Sequence, residues 1–139
     1  MTIGQLPVTS SLAGGLLILL VALSALVTER RARLGGIQFG DANDQALRAR
    51  IRAHANLIES APMVLIGLAL MELADAPDTM LWAFAGVFLV GRLLHAARMY
   101  IGNPFIGLFS IISQHVICLW AGAWLLYHFL IHPMSGALP

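Results

Sequence analysis

Four polar residues in the first half of the chain stand at helical spacing: Arg48, Arg52, Asn56 and Glu59. At about 100° per residue they fall at about 0°, 40°, 80° and 20°, forming one narrow row on a helix. Arg50 and His54 fall on the opposite side, at about 200° and 240°. Guanidinium groups clamp carboxylates through paired hydrogen bonds. A nearby amide can meet peptide groups, and a carboxylate can meet an ammonium. The row therefore suits a small zwitterion with more than one carboxylate. The plainer reading of Arg48, Arg50 and Arg52 is a basic cuff against anionic lipid headgroups.

Further polar residues cluster downstream. Arg92, His95 and Met99 are spaced three and four, so they share a helix face. Arg98 points away from that face and reads as an anchor snorkelling to the interface. Glu59 has Arg52 and Arg92 as candidate partners, and a Glu59–Arg92 ion pair would be a purely structural use of both. Ser110, Ser113, Gln114 and His115 form a polar patch in an apolar run, which hydrogen bonding between helices would explain. His128 and His132 read as interfacial. Trp82, Trp120 and Trp124 read as packing or lipid-facing, and the single cysteine, Cys118, as a buried inert thiol. No metal site is assigned.

The elements that must carry these residues are apolar helices. Of 139 residues, 59% are hydrophobic and only 11% charged, where a soluble domain has about a quarter charged. A bilayer core requires about 20 mostly apolar helical residues. Four stretches approach that length, predicting one domain over 1–139 with helices over about 8–30, 44–74, 79–100 and 105–131. Asp44 and Asp78 are the expected N-caps, and Asn103-Pro104 the expected turn before the last helix. The first stretch lacks a basic n-region, so it reads as an uncleaved helix rather than a signal peptide.

There is no lysine, and all eight arginines flank the first connection or the end of the third helix. The positive-inside rule makes that side cytoplasmic and puts both termini on the other side. Gly35, Gly36 and Gly40 predict ordered turns in the first connection. A net charge of +1 gives no reason to expect nucleic acid. For a polyanionic cytosolic ligand held at this mouth, glutathione has the matching groups.

The run Arg52-Ala53-His54-Ala55-Asn56-Leu57-Ile58-Glu59, followed by Pro62, resembles the signature of the MAPEG family, membrane-associated proteins in eicosanoid and glutathione metabolism that include the microsomal glutathione transferases. Arg30, Gly40-Asp41 and Gly91-Arg92-Leu93-Leu94-His95-Ala96 resemble its bacterial branch more closely still. The resemblance implies an all-α, integral membrane four-helix bundle, assembled as a homotrimer, in a bacterial inner membrane. It implies glutathione, as cosubstrate or ligand, between subunits near the cytoplasmic face. Arg52, Asn56 and Glu59 match the binding positions, with Arg30 and Arg48 weaker matches and His54 in a partly matched slot. Arg92 and His95 match third-helix positions lining the same cleft.

This sequence also departs from the family's pattern. Catalytic members carry an arginine near the start of the fourth helix that stabilises the glutathione thiolate. Here that stretch reads Pro104-Phe105-Ile106-Gly107-Leu108, and no arginine follows Arg98. Ser60 and Met99 stand where eukaryotic enzymes often carry aromatic hydroxyls, with Tyr100 beside Met99. Arg92 and Arg98 are the remaining candidates for a catalytic cation. Three readings follow. One is a glutathione transferase or peroxidase acting on lipophilic electrophiles. Another is a non-catalytic membrane protein binding glutathione, another anionic metabolite or lipid. The last is a bundle whose intramembrane charges only pair with each other.

Overall fold

The computed structural model describes residues 6–101 and 103–131. It contains four long helices in chain order: α1 (Pro7–Arg33), α2 (Gln45–Leu73), α3 (Asp78–Ile101) and α4 (Pro104–Ile131). All four are long and apolar enough to cross a membrane. In lipid, backbone polar groups must be satisfied within the segment, which these helices achieve. His132 and the tail positions used to infer orientation lie outside the described residues.

The local signals that start and stop the helices are visible. Asp44 caps α2, its side chain accepting from Leu47 N–H at 2.6 Å. Pro7 opens α1, where a missing N–H costs nothing. Asp78 does not cap α3 as expected. It lies within the first turn, and the Pro77 carbonyl begins the ladder by accepting from Met80 and Leu81. The first connection turns through Gly35, Gly36 and Gly40, all at positive φ, and through Ala42 and Asn43, also at positive φ. Asn103 accepts from Phe105 N–H at 2.9 Å at the head of α4.

Neighbouring helices pack in sequence, α1 on α2, α2 on α3 and α3 on α4, with α1–α3 and α2–α4 contacts across the bundle. Phe88, Leu47, Met71, Leu81 and Val8 are almost fully buried. Small residues allow close approach: a Cβ added to Gly91 on α3 would lie 2.9 Å from Ser113 Oγ on α4. The outward faces are strongly apolar, with Leu17, Ile18, Val21, Leu119, Leu126 and Leu130 exposed, as a lipid-facing surface requires. Trp82 and Trp120 are also exposed; Trp124 is half-buried and stacks on His128.

Polar contacts pin both ends of the bundle. At one end Glu72, on the last turn of α2, accepts from the backbone N–H groups of Val8 and Thr9, at 2.8 and 2.9 Å. It thereby satisfies two orphan donors at the head of α1. At the other end Arg30 on α1 forms a two-pronged pair with Asp44, Nε to Oδ1 at 3.1 Å and NH2 to Oδ2 at 2.7 Å. Arg50 on α2 donates to Glu29 and to the Leu26 carbonyl on α1. Arg31 holds the connection by donating to the carbonyls of Ile37 and Gln38.

Candidate functional site

The polar centre of the molecule is Arg92. It is 3% exposed, on a helix that crosses a membrane. Its guanidinium donates to the side-chain oxygen of Asn56 and, at 3.4 Å, to Ser60 Oγ, both on α2. It also donates to the Ser110 carbonyl on α4 at 3.3 Å, and it lies 5.3 Å from the centroid of the Phe88 ring. Its Nε has no partner among the described residues. All its hydrogen-bond acceptors are neutral. No carboxylate lies within ion-pair distance of Arg92 among the described residues.

One turn on, His95 is also buried, and its Nδ1 lies 3.1 Å from Ser110 Oγ. Ser110 in turn donates to the Gly107 carbonyl at 3.0 Å, and Ser113 donates to the Ser110 carbonyl at 3.0 Å. Arg92, Arg98 and Arg52 all lie near enough for their charges to bear on the His95 ring. Three cations thus converge where α2, α3 and α4 meet. None of the three forms an ion pair among the described residues.

The row read from the sequence divides. Arg52, Asn56 and Glu59 remain on one face of α2, with Arg52 and Glu59 exposed and Asn56 half-buried against Arg92. The suggested Glu59–Arg92 pair does not form. The register between α2 and α3 sets Asn56 opposite Arg92, and Glu59 lies three residues further along. Arg48 is ion-paired to Asp41 at 2.6 Å and Arg30 to Asp44 at 2.7 Å, so both weaker candidates are engaged within the chain. The Arg30 guanidinium and the Leu47 N–H hold the Asp44 carboxyl down at about 2. His54 faces away from Arg92, into a groove between α1 and α2 lined by Leu20, Ser24, Thr28 and Glu29.

Sequence reading missed two partners. Ser60 continues the α2 row one turn beyond Asn56 and also donates to the Asn56 carbonyl at 2.8 Å, a back-bond that its i+4 spacing signals. Gly107 carries no such signal; its meaning depends on what lies over it. Beside the polar cluster, an apolar cleft of about 260 Å³ opens between α2 and α4. Met63, Gly67, Phe84, Cys118, Gly122 and Leu125 are among the residues lining it. Cys118 is exposed rather than buried as expected, because it lines this open cleft.

A buried guanidinium on neutral acceptors, a four-helix membrane architecture and the α2 row can each arise alone. What identifies the family is that the MAPEG family model matches residues 9–128, nearly the whole chain. The chain belongs to the MAPEG family. It is therefore a multi-pass membrane protein of the family associated with glutathione and eicosanoid metabolism. No curated protein and no solved structure matches it. The match covers all four helices, the α2 row and the Arg92–His95 face of this MAPEG protein.

Proposed function

We propose that this MAPEG protein binds glutathione at the cytoplasmic mouth of the bundle, at an interface between copies, and presents its thiol to lipophilic electrophiles dissolved in the bilayer. The observation that carries this reading is Arg92, a buried cation whose acceptors are all neutral. An uncompensated charge in that setting is costly, and an anionic ligand removes the cost. Arg52 and Arg98 add two further cations unpaired among the described residues.

Glu59 supports assembly. It is exposed on a membrane-crossing helix without an ion pair among the described residues. An acid there costs roughly 2.5–3.5 kcal/mol at the centre of a transmembrane helix. A neighbouring subunit, in a homotrimer, together with the ligand's ammonium, would cover it. The apolar cleft between α2 and α4 would admit the lipophilic co-substrate from the bilayer. The protein's contribution to a transferase or peroxidase reaction would be positioning and cationic stabilisation of the sulfur.

The second reading, a membrane protein that binds an anion without catalysis, is favoured by the absence of any arginine from α4. Calorimetric titration of the detergent-purified protein separates binding from its absence. Saturable glutathione binding that is lost in Arg52→Ala supports the reading. No heat of binding in the wild type would overturn it. Conjugation assayed with a generic aromatic electrophile then distinguishes a transferase from a passive binder.

A further inference from the structure

The cleft of about 260 Å³ between α2 and α4 is open beside Met63 and Ile66, which are exposed on the outward face of α2, and Cys118 is exposed in its wall. Val64 and Phe84 also line it. Each stands four residues from a neighbour of Arg92, Ser60 on α2 and Phe88 on α3. The cleft therefore ends within about one helical turn of Arg92. Arg92 is 3% exposed, and its Nε has no partner among the described residues. It lies near enough for its charge to bear on the Cys118 thiol. An apolar channel with a buried, unspent donor at its end suits an apolar chain that carries an acceptor oxygen.

Cys118 has a second polar neighbour. His115 precedes it by three residues, so both stand on one face of α4 with Cβ atoms about 5–6 Å apart. His115 Nδ1 lies 2.7 Å from the Ile111 carbonyl, which can only accept, so Nδ1 donates. In the neutral ring that leaves Nε2 as a base, and no hydrogen bond to it forms among the described residues. Cys118 lies about 21 Å along α4 from Pro104, near mid-helix, where separated charges are costly. A neutral thiol and a neutral imidazole can pass a proton there without leaving a charge behind.

We infer that Cys118 captures lipophilic α,β-unsaturated carbonyl compounds in this cleft, with His115 carrying the proton. The alkyl chain fills the cleft, and the carbonyl oxygen turns towards Arg92. Sulfur attacks the β-carbon, and the S–C bond forms as the C=C π bond breaks, its electron pair passing to the α-carbon and carbonyl. The thiol proton moves to His115 Nε2 and from there to the α-carbon. Nothing leaves and nothing is oxidised, so the adduct is the sum of protein and carbonyl compound. The reaction needs no glutathione and makes the chain itself a trap for reactive lipid fragments.

The test uses the full-length protein in thiol-free detergent solution, with nonenal as the long-chain probe and acrolein as the short one. Intact mass and peptide mapping follow the adduct and its rate. The chain has one cysteine and no lysine, so an enal meets few competing targets. Nonenal should add whole and once at Cys118, and this adduct should be absent from Cys118→Ser. His115→Gln should slow both probes by roughly a hundredfold. A Cβ on Gly122 meets nothing within 4 Å, so Gly122→Leu fills the cleft without a backbone clash. It should slow nonenal by about tenfold or more and leave acrolein within about twofold of wild type. Addition of nonenal to histidine or to the N-terminus, with Cys118 unmodified, would overturn the inference. An unchanged nonenal rate in Gly122→Leu would also overturn it, by showing that the thiol reacts without the cleft. An unchanged rate in His115→Gln would do the same by removing the proton carrier.

Discussion

Arg92 on α3 and Asn56 on α2 are joined side chain to side chain, 36 residues apart, in the interior of the bundle. The bond fixes the register of the two helices and holds a buried cation on a neutral oxygen. Removing Asn56 therefore affects both folding and ligand. Asn56→Ala leaves an NH group of Arg92 without its main acceptor. A hydrogen bond to a charged group contributes about 1.5–3 kcal/mol, so thermal unfolding in detergent should shift down by several degrees. Arg52→Ala should differ. Arg52 is exposed and has no partner among the described residues, so its removal should change stability by no more than about 0.5 kcal/mol. Glutathione affinity should fall tenfold or more in both. Equal destabilisation by the two substitutions would show that the division between structural and ligand-binding roles is misplaced.

The orientation expected from the eight arginines can be tested by labelling the first connection. Gly35 has φ +88°, so a cysteine there would be strained. Gln38 is exposed in the same connection and contributes only its carbonyl, to Arg31. In a Cys118→Ser background, Gln38→Cys should react with a membrane-impermeant maleimide only from the cytoplasmic side. Labelling from the opposite side of intact cells would reverse the topology drawn from the eight arginines.

Much of this architecture was legible in the sequence because it depends on local patterns. Helical periodicity placed Arg52, Asn56 and Glu59 on one face, and Asp44 announced the start of α2. Partner choice was not legible. Glu59 and Asn56 differ by about 4.5 Å along the helix and about 60° around it, and only the packed register decides which meets Arg92. Arg30 and Arg48 find Asp44 and Asp41 because Ala42 and Asn43 adopt positive φ, which folds the connection back on itself. Glycine 107 reads as a small residue in an apolar run until Arg98 is seen over it.

Asp44 sets an acid limit on this end of the bundle. Its carboxyl is lowered from an ordinary 3.8 to about 2, chiefly by the hydrogen bond from Arg30 and then by Leu47 N–H. A carboxyl depressed in the folded state contributes stability above its unfolded value, and that contribution is lost as pH falls through its folded value. The α1–α2 junction should therefore loosen between about pH 4 and pH 2, while Asp44→Asn should show a flatter acid limb and lower stability at pH 7. Circular dichroism melts of the two proteins across this range check the sign. Parallel pH profiles would remove Asp44 from the account.

At the opposite end, Glu72→Ala should uncouple the head of α1. The substitution removes the acceptor from two N–H groups, those of Val8 and Thr9. Loss of a helix N-terminal acceptor costs about 0.5–2 kcal/mol. Hydrogen exchange at the first turn of α1 should accelerate, with the Arg92 region unaffected. Glutathione affinity should not change, since Glu72 lies at the far end of α2 from Arg52. A drop in affinity matching that of Asn56→Ala would indicate that the two ends of the bundle are coupled.

The partners of Ser110 decide which nitrogen of His95 carries the proton. Ser110 Oγ has one hydrogen, and the geometry sends it to the Gly107 carbonyl at 3.0 Å. The 3.1 Å contact between Ser110 Oγ and His95 Nδ1 then requires the imidazole to donate from Nδ1. In the neutral ring that leaves Nε2 as the acceptor, and no hydrogen bond to it forms among the described residues. That nitrogen is suited to accept from a ligand N–H. Nitrogen NMR of ring-labelled protein should find Nδ1 protonated and Nε2 unprotonated at pH 7. In Ser110→Ala the partner that selects this tautomer is gone, and the Nε2-protonated form should become populated. Glutathione affinity should fall in the same variant, because the acceptor presented to the ligand becomes a donor. A wild-type ring already protonated at Nε2 would mean that Ser110 donates to His95 instead. The Gly107 carbonyl would then lose its bond from Ser110, and the orientation of this serine would have to be reversed.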